Sequence, residues 1–242
     1  MDKYKTLLKW INEANNIVFF GGAGVSTASG IKDFRSKDGL YNMKYKYPPE
    51  KILSHSFFIN HTDEFYKFYK DKLNCLDKEP NICHKYLTKL EKAGKLKAIV
   101  TQNIDGLHEK AGSKNIYNLH GTIYENECMK CQKKYTEEDI FIKNITTCTC
   151  GGIIKPNVVL YEEPLDTNII KSAIYAISKA DLLLVVGTSL TVYPASSFIN
   201  YFQGNHLVII NKDTTPLDNL ADLIINDDIK KVFEYLNKKT EI

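Results

Sequence analysis

No run in this chain of 242 residues approaches the ~20 consecutive apolar residues that a membrane helix requires. The strongest, Leu-Leu-Leu-Val-Val at 182–186, has the length of a buried strand. Neither sign of charge dominates. Against 29 acidic residues stand 32 basic ones, a formal net charge of +3, which argues against direct nucleic-acid binding as the principal function. The opening residues, MDKYKTLLKW, lack the charged-then-apolar layout of a signal peptide. Without a secretory signal, the six cysteines are expected as reduced thiols or metal ligands, and disulfides are the lesser expectation. Internal repeats and low-complexity tracts are missing too. These absences leave the expectation of a cytoplasmic, non-membrane globular protein, a monomer with no sign of an obligate interface.

What is present is an alternation of helical and strand patterns. Leu7, Leu8, Ile11 and Ala14 recur at helical spacing over 4–14, and Ile82, Tyr86, Leu87 and Leu90 repeat the pattern over 81–93 before Gly94. Short apolar runs follow Asn16 and recur at 97–101, 116–119, 182–186, 207–210 and 223–225, with helical patterns at 168–179, 194–203 and 229–238. Such alternation predicts an α/β fold, a parallel sheet covered on both faces. Ligands of these sheets bind at the carboxyl ends of the strands, where the loops GGAG, TQNIDG and GTSLTVYP fall. Two stretches break the alternation: an aromatic, charged, partly helical excursion at 32–80, and residues 124–155, which hold four cysteines but few apolar runs.

The quartet Cys128, Cys131, Cys148 and Cys150 has the pair spacing of a four-thiolate zinc site, although its second pair is Cys-x-Cys. Gly151 and Gly152 supply the backbone freedom a tight pair needs. Four cysteines fill the coordination sphere, so the metal is expected to be structural. Cys75 and Cys83 lie outside the module and read as small buried residues. The loop GGAGVSTASGIKDFRS at 21–36 follows a strand, and its glycines allow close backbone approach to a diphosphate, though its spacing departs from the G-x-G-x-x-G pattern.

Six motifs in order now resemble one family. GAGVSTASGIKDFRS, TQNIDGLHEKAG (101–112), NLHGT (118–122), the cysteine quartet, KPNVVLYEE (155–163) and VVGTSLTVYPA (185–195) are similar to those of the sirtuins, NAD-dependent protein-lysine deacylases. The resemblance spans essentially the whole chain. It implies one catalytic domain, 1–242, with a Rossmann-like sheet covered by helices and a smaller domain made of the zinc module and the helical excursion. NAD is the implied co-substrate, Zn²⁺ the structural metal, and an acylated-lysine protein or peptide the substrate.

The resemblance further assigns individual residues. Gly22, Ala23 and Gly24 would face the pyrophosphate, and Thr27, Phe34 and Arg35 would close over the nicotinamide ribose. Gln102 matches a ribose contact, Asn103, Ile104 and Asp105 the carboxamide pocket, and Gly187, Thr188 and Ser189 phosphate and ribose contacts. Asn211 matches an adenosine ribose contact, and Asp228 and Ile229 the adenine edge. His120, with Asn103 and Asp105, is the implied catalytic group, an imidazole base suited to near-neutral pH. Residues 156–163 are expected as a substrate-pairing strand, with Phe34, Val159, Tyr161 and Glu162 at the acyl-lysine.

Three positions depart from the family's pattern. Lys32 replaces a usual proline, Glu162 a usual glycine, and the second cysteine pair is shortened. In relatives that favour succinyl groups, a Tyr-x-x-Arg pair binds the acyl carboxylate; here Phe68 and Asp71 align with it, which points to acetyl and other neutral acyl groups. Alternatives at this level are protein ADP-ribosylation, long-chain deacylation, and a non-catalytic NAD sensor.

Overall fold

The computed structural model describes residues 2–33 and 46–240. Among them are nine strands: β1 (Ile17–Gly21), β2 (Leu96–Thr101), β3 (Ile116–Asn118), β4 (Gly121–Cys128), β5 (Lys134–Thr136), β6 (Ile154–Val158), β7 (Leu182–Val186), β8 (His206–Ile210) and β9 (Leu223–Ile225). The helices are α1 (Lys3–Glu13), α2 (Pro49–Ile52), α3 (His55–Asn60), α4 (Thr62–Lys72), α5 (Ile82–Lys92), α6 (Leu107–Lys110), α7 (Glu137–Phe141), α8 (Thr167–Lys179) and α9 (Ile229–Lys239). None of these helices is long and apolar enough to cross a membrane.

Six strands form a parallel sheet in the order β3-β2-β1-β7-β8-β9. Successive residues of the central strands serve opposite faces, so these strands read as continuous apolar runs. Ile17, Phe19, Leu182 and Leu184 pack under Leu7, Ile11, Tyr86, Leu87, Val232 and Phe233 of α1, α5 and α9. Val18, Phe20, Leu183 and Val185 pack on the other face against Ala173 and Ile177 of α8 and Phe198 and Ile199. The helix expected over 194–203 is instead a 3₁₀ helix, Ala195–Tyr201. Its Ser197 hydroxyl donates to the Pro194 carbonyl at 2.7 Å, a local bond that competes with α-helical pairing.

The chain leaves β1 for β2 on one side and later returns to β7 on the other. The carboxyl ends of β1 and β7 therefore flank the switch point of the sheet, where such folds open a crevice. Strands β5-β4-β6 form a small second sheet. Too few apolar residues lie in 124–155 to fill a core, and the excursion supplies them. Phe57, Phe58, Phe65, Tyr66 and Tyr69 of α3 and α4 pack against Cys128, Tyr135, Ile140, Cys148 and Ile154 in one shared cluster. Within it Tyr69 stacks on both Phe65 and Phe141, with ring centroids 5.4 and 5.3 Å apart. Aromatic pairs of this kind are worth about 0.5–1.5 kcal/mol beyond their buried area.

Candidate active site and cysteine centre

Two loops meet at the switch point. The Gly22 N–H donates to the Val186 carbonyl at 3.1 Å, and the Gly24 N–H to the Gly187 carbonyl at 2.8 Å. A Cβ on Gly22 would lie 2.7 Å from the Thr188 Cβ, and one on Gly24 would lie 2.8 Å from the Gly187 Cα. Glycine is required here because two backbones touch, and the N–H groups of both glycines are already spent. The donors left for an anion are the N–H groups of Ala23, Thr188 and Ser189, which have no protein acceptor among the described residues. Three unpaired backbone donors at one loop junction fit a pyrophosphate group.

The loop after β2 is fixed to the same junction. The Gln102 N–H donates to the Gly21 carbonyl at 3.0 Å, and its side chain donates to the Thr188 hydroxyl at 3.1 Å. Next to it Asn103 Nδ2 donates to Ser26 Oγ at 3.1 Å, and Ser26 Oγ donates to Asp105 Oδ2 at 2.6 Å. The other Asp105 oxygen accepts the Leu107 N–H at 3.0 Å. Burial pushes the Asp105 carboxyl above the usual carboxylate range, against the opposing pull of the Ser26 and Leu107 bonds. Ser26, 1 % exposed, is the bridge of this triad. Nothing in the run VSTASG distinguishes it from its neighbouring hydroxyls, so pattern alone does not find it. Ile104 joins the second sheet, its carbonyl accepting the Ile123 N–H at 3.1 Å.

His120 sits at the turn between β3 and β4, and its Nδ1 lies 2.9 Å from the Gln102 carbonyl. A carbonyl only accepts, so Nδ1 carries the proton and Nε2 holds a free lone pair. Burial lowers the ring's pKa below its ordinary 6.5, with the Gln102 bond acting the other way. The imidazole is neutral at pH 7.

Of the remaining nucleotide positions, Thr27 is exposed, with its hydroxyl on the Gly24 carbonyl. Asn211 follows β8, and its amide bridges to the Asp213 carbonyl. Asp228 caps α9 through the Lys230 N–H at 2.7 Å, so its carboxylate holds the helix start on which Ile229 stands. Phe34 and Arg35 lie outside the described residues.

The four cysteine sulfurs of the small domain all lie within 4.8 Å of one another. Cys128 Sγ is 3.5 Å from Cys150 Sγ, and Cys131 Sγ is 3.6 Å from Cys148 Sγ. A disulfide needs about 2.05 Å. A tetrahedron of Zn–S bonds near 2.3 Å has edges of about 3.8 Å, so the quartet fits a structural zinc ion. The short Cys-x-Cys pair is accommodated by a turn in which Gly151 has φ +78° and its N–H donates to the Cys148 carbonyl at 2.8 Å.

The model of the Sir2 family matches residues 22–194, which covers the glycine loop, His120 and the cysteine centre. The chain belongs to the Sir2 family. It is 57% identical over 240 residues to an NAD-dependent protein deacetylase of Clostridium acetobutylicum, covering 97% of this chain and 98% of the relative. A second NAD-dependent protein deacetylase, of Clostridium perfringens, is 58% identical over 236 residues, with 96% and 97% covered. Among solved structures, a Sir2 variant with deacetylated p53 peptide and 3′-O-acetyl ADP ribose superposes with a TM-score of 0.90 at 39% identity, 97% of each chain being covered. A Sir2 complex with p53 peptide and NAD⁺ gives a TM-score of 0.84 at 39% identity, covering 97% of this chain and 95% of that one.

In this Sir2 chain the expected substrate strand is shorter than its sequence suggests. β6 stops at Val158, and 159–161 turn away to pair with the start of α3. The Val159 N–H donates to the His120 carbonyl at 2.9 Å, tying the segment to the turn that carries His120. Tyr161 N–H donates to the Leu53 carbonyl at 3.0 Å, and its own carbonyl accepts the His55 N–H at 2.9 Å. Val159 is half-buried, while Tyr161 is 41% exposed.

Proposed function

We propose that this protein is an NAD-dependent protein-lysine deacetylase in which His120 is the general base. The observation that carries this reading is the single free nitrogen of a neutral, half-buried imidazole beside the Gln102 loop. Bound NAD supplies an ADP-ribosyl group whose C1′ releases nicotinamide and whose hydroxyls accept the acyl group. His120 Nε2 is set to take the proton from a ribose hydroxyl, with Nδ1 held on the Gln102 carbonyl. Asn103 and Asp105 offer donor and acceptor to a carboxamide, and Ser26 fixes both in one orientation. Ala23, Thr188 and Ser189 hold the diphosphate by backbone. Gly22, Gly24 and Gly187 make room for it, and Thr27, Phe34 and Arg35 close over the ribose. Gln102 and Asn211 face ribose hydroxyls, Ile104 lines the carboxamide pocket, and Asp228 and Ile229 border the adenine.

The substrate is an acylated-lysine peptide held by Val159, Tyr161 and Glu162. Asp71 does not contribute to acyl choice as its sequence position suggests. Its side chain is 65% exposed and paired with Lys72 at 2.7 Å, because it lies on the outer face of α4. Phe68, 6% exposed, sits in the shared aromatic cluster and offers no hydroxyl. The chain contains one arginine, Arg35, which the family resemblance assigns to the ribose lid, so no second guanidinium is available for an acyl carboxylate. Acetyl is therefore preferred over succinyl. Six cysteines with no disulfide among them accord with a reducing, cytoplasmic location, and we read the protein as a monomer that does not bind nucleic acid.

Incubation with NAD and one peptide carrying acetyl- or succinyl-lysine tests both statements. Nicotinamide and O-acetyl-ADP-ribose should form in equal amounts, with the larger kcat/KM for acetyl. ADP-ribose attached to protein, with no acetylated product, would refute deacetylation; succinyl turnover at or above acetyl would refute the acyl preference.

A further inference from the structure

Residues 159–163 cross from the sheet to α3, and two adjacent glutamates hold them there. Glu162 has φ +75°, in the left-handed region that favours glycine. A side chain at this position therefore strains the backbone, and its contacts give the compensation. The Glu162 carboxylate accepts the Ser56 N–H at 2.8 Å and the Ser56 hydroxyl at 2.9 Å. Glu163 points the other way: one oxygen is 2.7 Å from His55 Nδ1, and the other is 3.0 Å from Lys155 Nζ. That second oxygen also accepts the Leu160 N–H at 2.9 Å. Lys155 Nζ in turn donates to the carbonyls of Pro156 and Val158 at 3.2 and 3.0 Å. Together with the Tyr161 backbone pairs, these contacts use most of the main-chain groups of the segment. Four remain without a partner among the described residues, the Glu162 N–H and the carbonyls of Val159, Glu162 and Glu163.

We propose that Glu162 and Glu163 are positioning residues for the peptide co-substrate, tying 160–163 to the start of α3 and to Lys155 so that the Val159 carbonyl and Glu162 N–H meet the peptide main chain. The proposal rests on the reading of 159–161 as the peptide-binding segment. Hydrogen bonds to a carboxylate are stronger than neutral ones, and a segment already ordered loses less entropy when a peptide docks. Glu162 thus exchanges the freedom of a glycine for a fixed tether. Its carboxylate does not touch the substrate.

Steady-state kinetics on five variants test this. E162A keeps the demanding φ but loses both bonds to Ser56, and should raise the KM for acetylated peptide about tenfold. The KM for NAD and the kcat at saturating peptide should stay within about twofold, because the tether acts before chemistry. E162Q keeps an acceptor and should recover most of the loss. Ser56→Ala should raise the peptide KM by a smaller factor, and the S56A/E162A double variant should be no worse than E162A alone. Additive effects would overturn the tether by showing that Glu162 contacts the peptide directly. An unchanged peptide KM in E162A would also overturn it. Val159→Asp separates the two levels. If V159D raises the peptide KM and E162A does not, only the tether fails; if neither does, the peptide-binding segment lies elsewhere and both readings fall.

Discussion

His120 has one nitrogen committed and one open, and this asymmetry decides what its replacement should do. In H120A the proposed base is lost while the surrounding turn, held by a backbone bond from Val159, persists. Deacetylation should fall by about 10²–10⁴-fold, with NAD affinity measured by calorimetry nearly unchanged. Near wild-type turnover would end the assignment. The lowered pKa of the ring adds a second expectation. In the proposed mechanism neutral imidazole is the working form, so activity should persist as pH falls through the ordinary 6.5 and decline only below it. A kcat/KM profile whose acid limb lies above pH 6.5 would contradict His120 as the base. Ser26 provides the third test at this scale. Ser26→Ala removes the bridge between Asn103 and Asp105 and leaves the buried Asp105 oxygen without its donor, at a cost of about 1–3 kcal/mol. The KM for NAD should rise far more than the KM for peptide. The reverse ordering would place Ser26 outside the nicotinamide pocket.

At the scale of elements, the cysteine module stands on two supports, the metal and the aromatic face lent by α3 and α4. Replacing Cys128 by Ser should remove zinc and lower activity indirectly, as metal binding contributes folding free energy in such modules. Gly152 gives a finer probe. A Cβ there would lie 2.6 Å from Cys128 Sγ and 2.7 Å from Lys130 Cβ, whereas one on Gly151 meets nothing within 4 Å. Gly152→Ala should therefore reduce zinc content by elemental analysis, and Gly151→Ala should keep its metal despite the left-handed φ. Equal zinc in both would sink the geometric account. Much of this module and of the sheet is legible in the sequence. β1 and β7 are buried on both faces and so declare themselves as apolar runs, and the cysteine spacing names its own chemistry. The end of β6 is not legible, because the group that pulls 161–163 away is the start of α3, reached by a Glu162–Ser56 contact 106 residues apart in the chain. The origin of the small domain's core is hidden for the same reason: most of its aromatic residues, Phe57, Phe58, Phe65, Tyr66, Phe68 and Tyr69, come from a different stretch of sequence.

The stability of the whole molecule carries a pH dependence set by a pair of histidines outside the chemistry. His84 of α5 and His108 of α6 are 0% and 1% exposed, with ring centroids 4.7 Å apart, and His108 also packs edge-on against Phe19 of β1. His84 accepts the Asn81 N–H on Nδ1, but its Nε2 and both His108 nitrogens have no partner among the described residues. Burial lowers His84 to about 4, and burial together with the neighbouring ring lowers His108 well below 6.5. Both are neutral when folded, and both take up protons in the unfolded chain once pH drops below about 6.5. The unfolded state then binds more protons, so stability falls with decreasing pH, from about 6.5 down to the folded value near 4 for His84. For His84 alone the loss at pH 5 is about 2 kcal/mol, since each tenfold difference in proton affinity between the folded and unfolded chain is worth about 1.4 kcal/mol. His108→Leu removes one of the two groups and breaks no hydrogen bond that the structure shows. Its Tm should drop less than that of the wild type between pH 7 and pH 5, as followed by circular dichroism. Parallel pH dependences in the two proteins would show that the acid sensitivity arises elsewhere, among carboxylates such as Glu163 and Asp139, whose folded pKa values lie below normal and which also lose stability in acid.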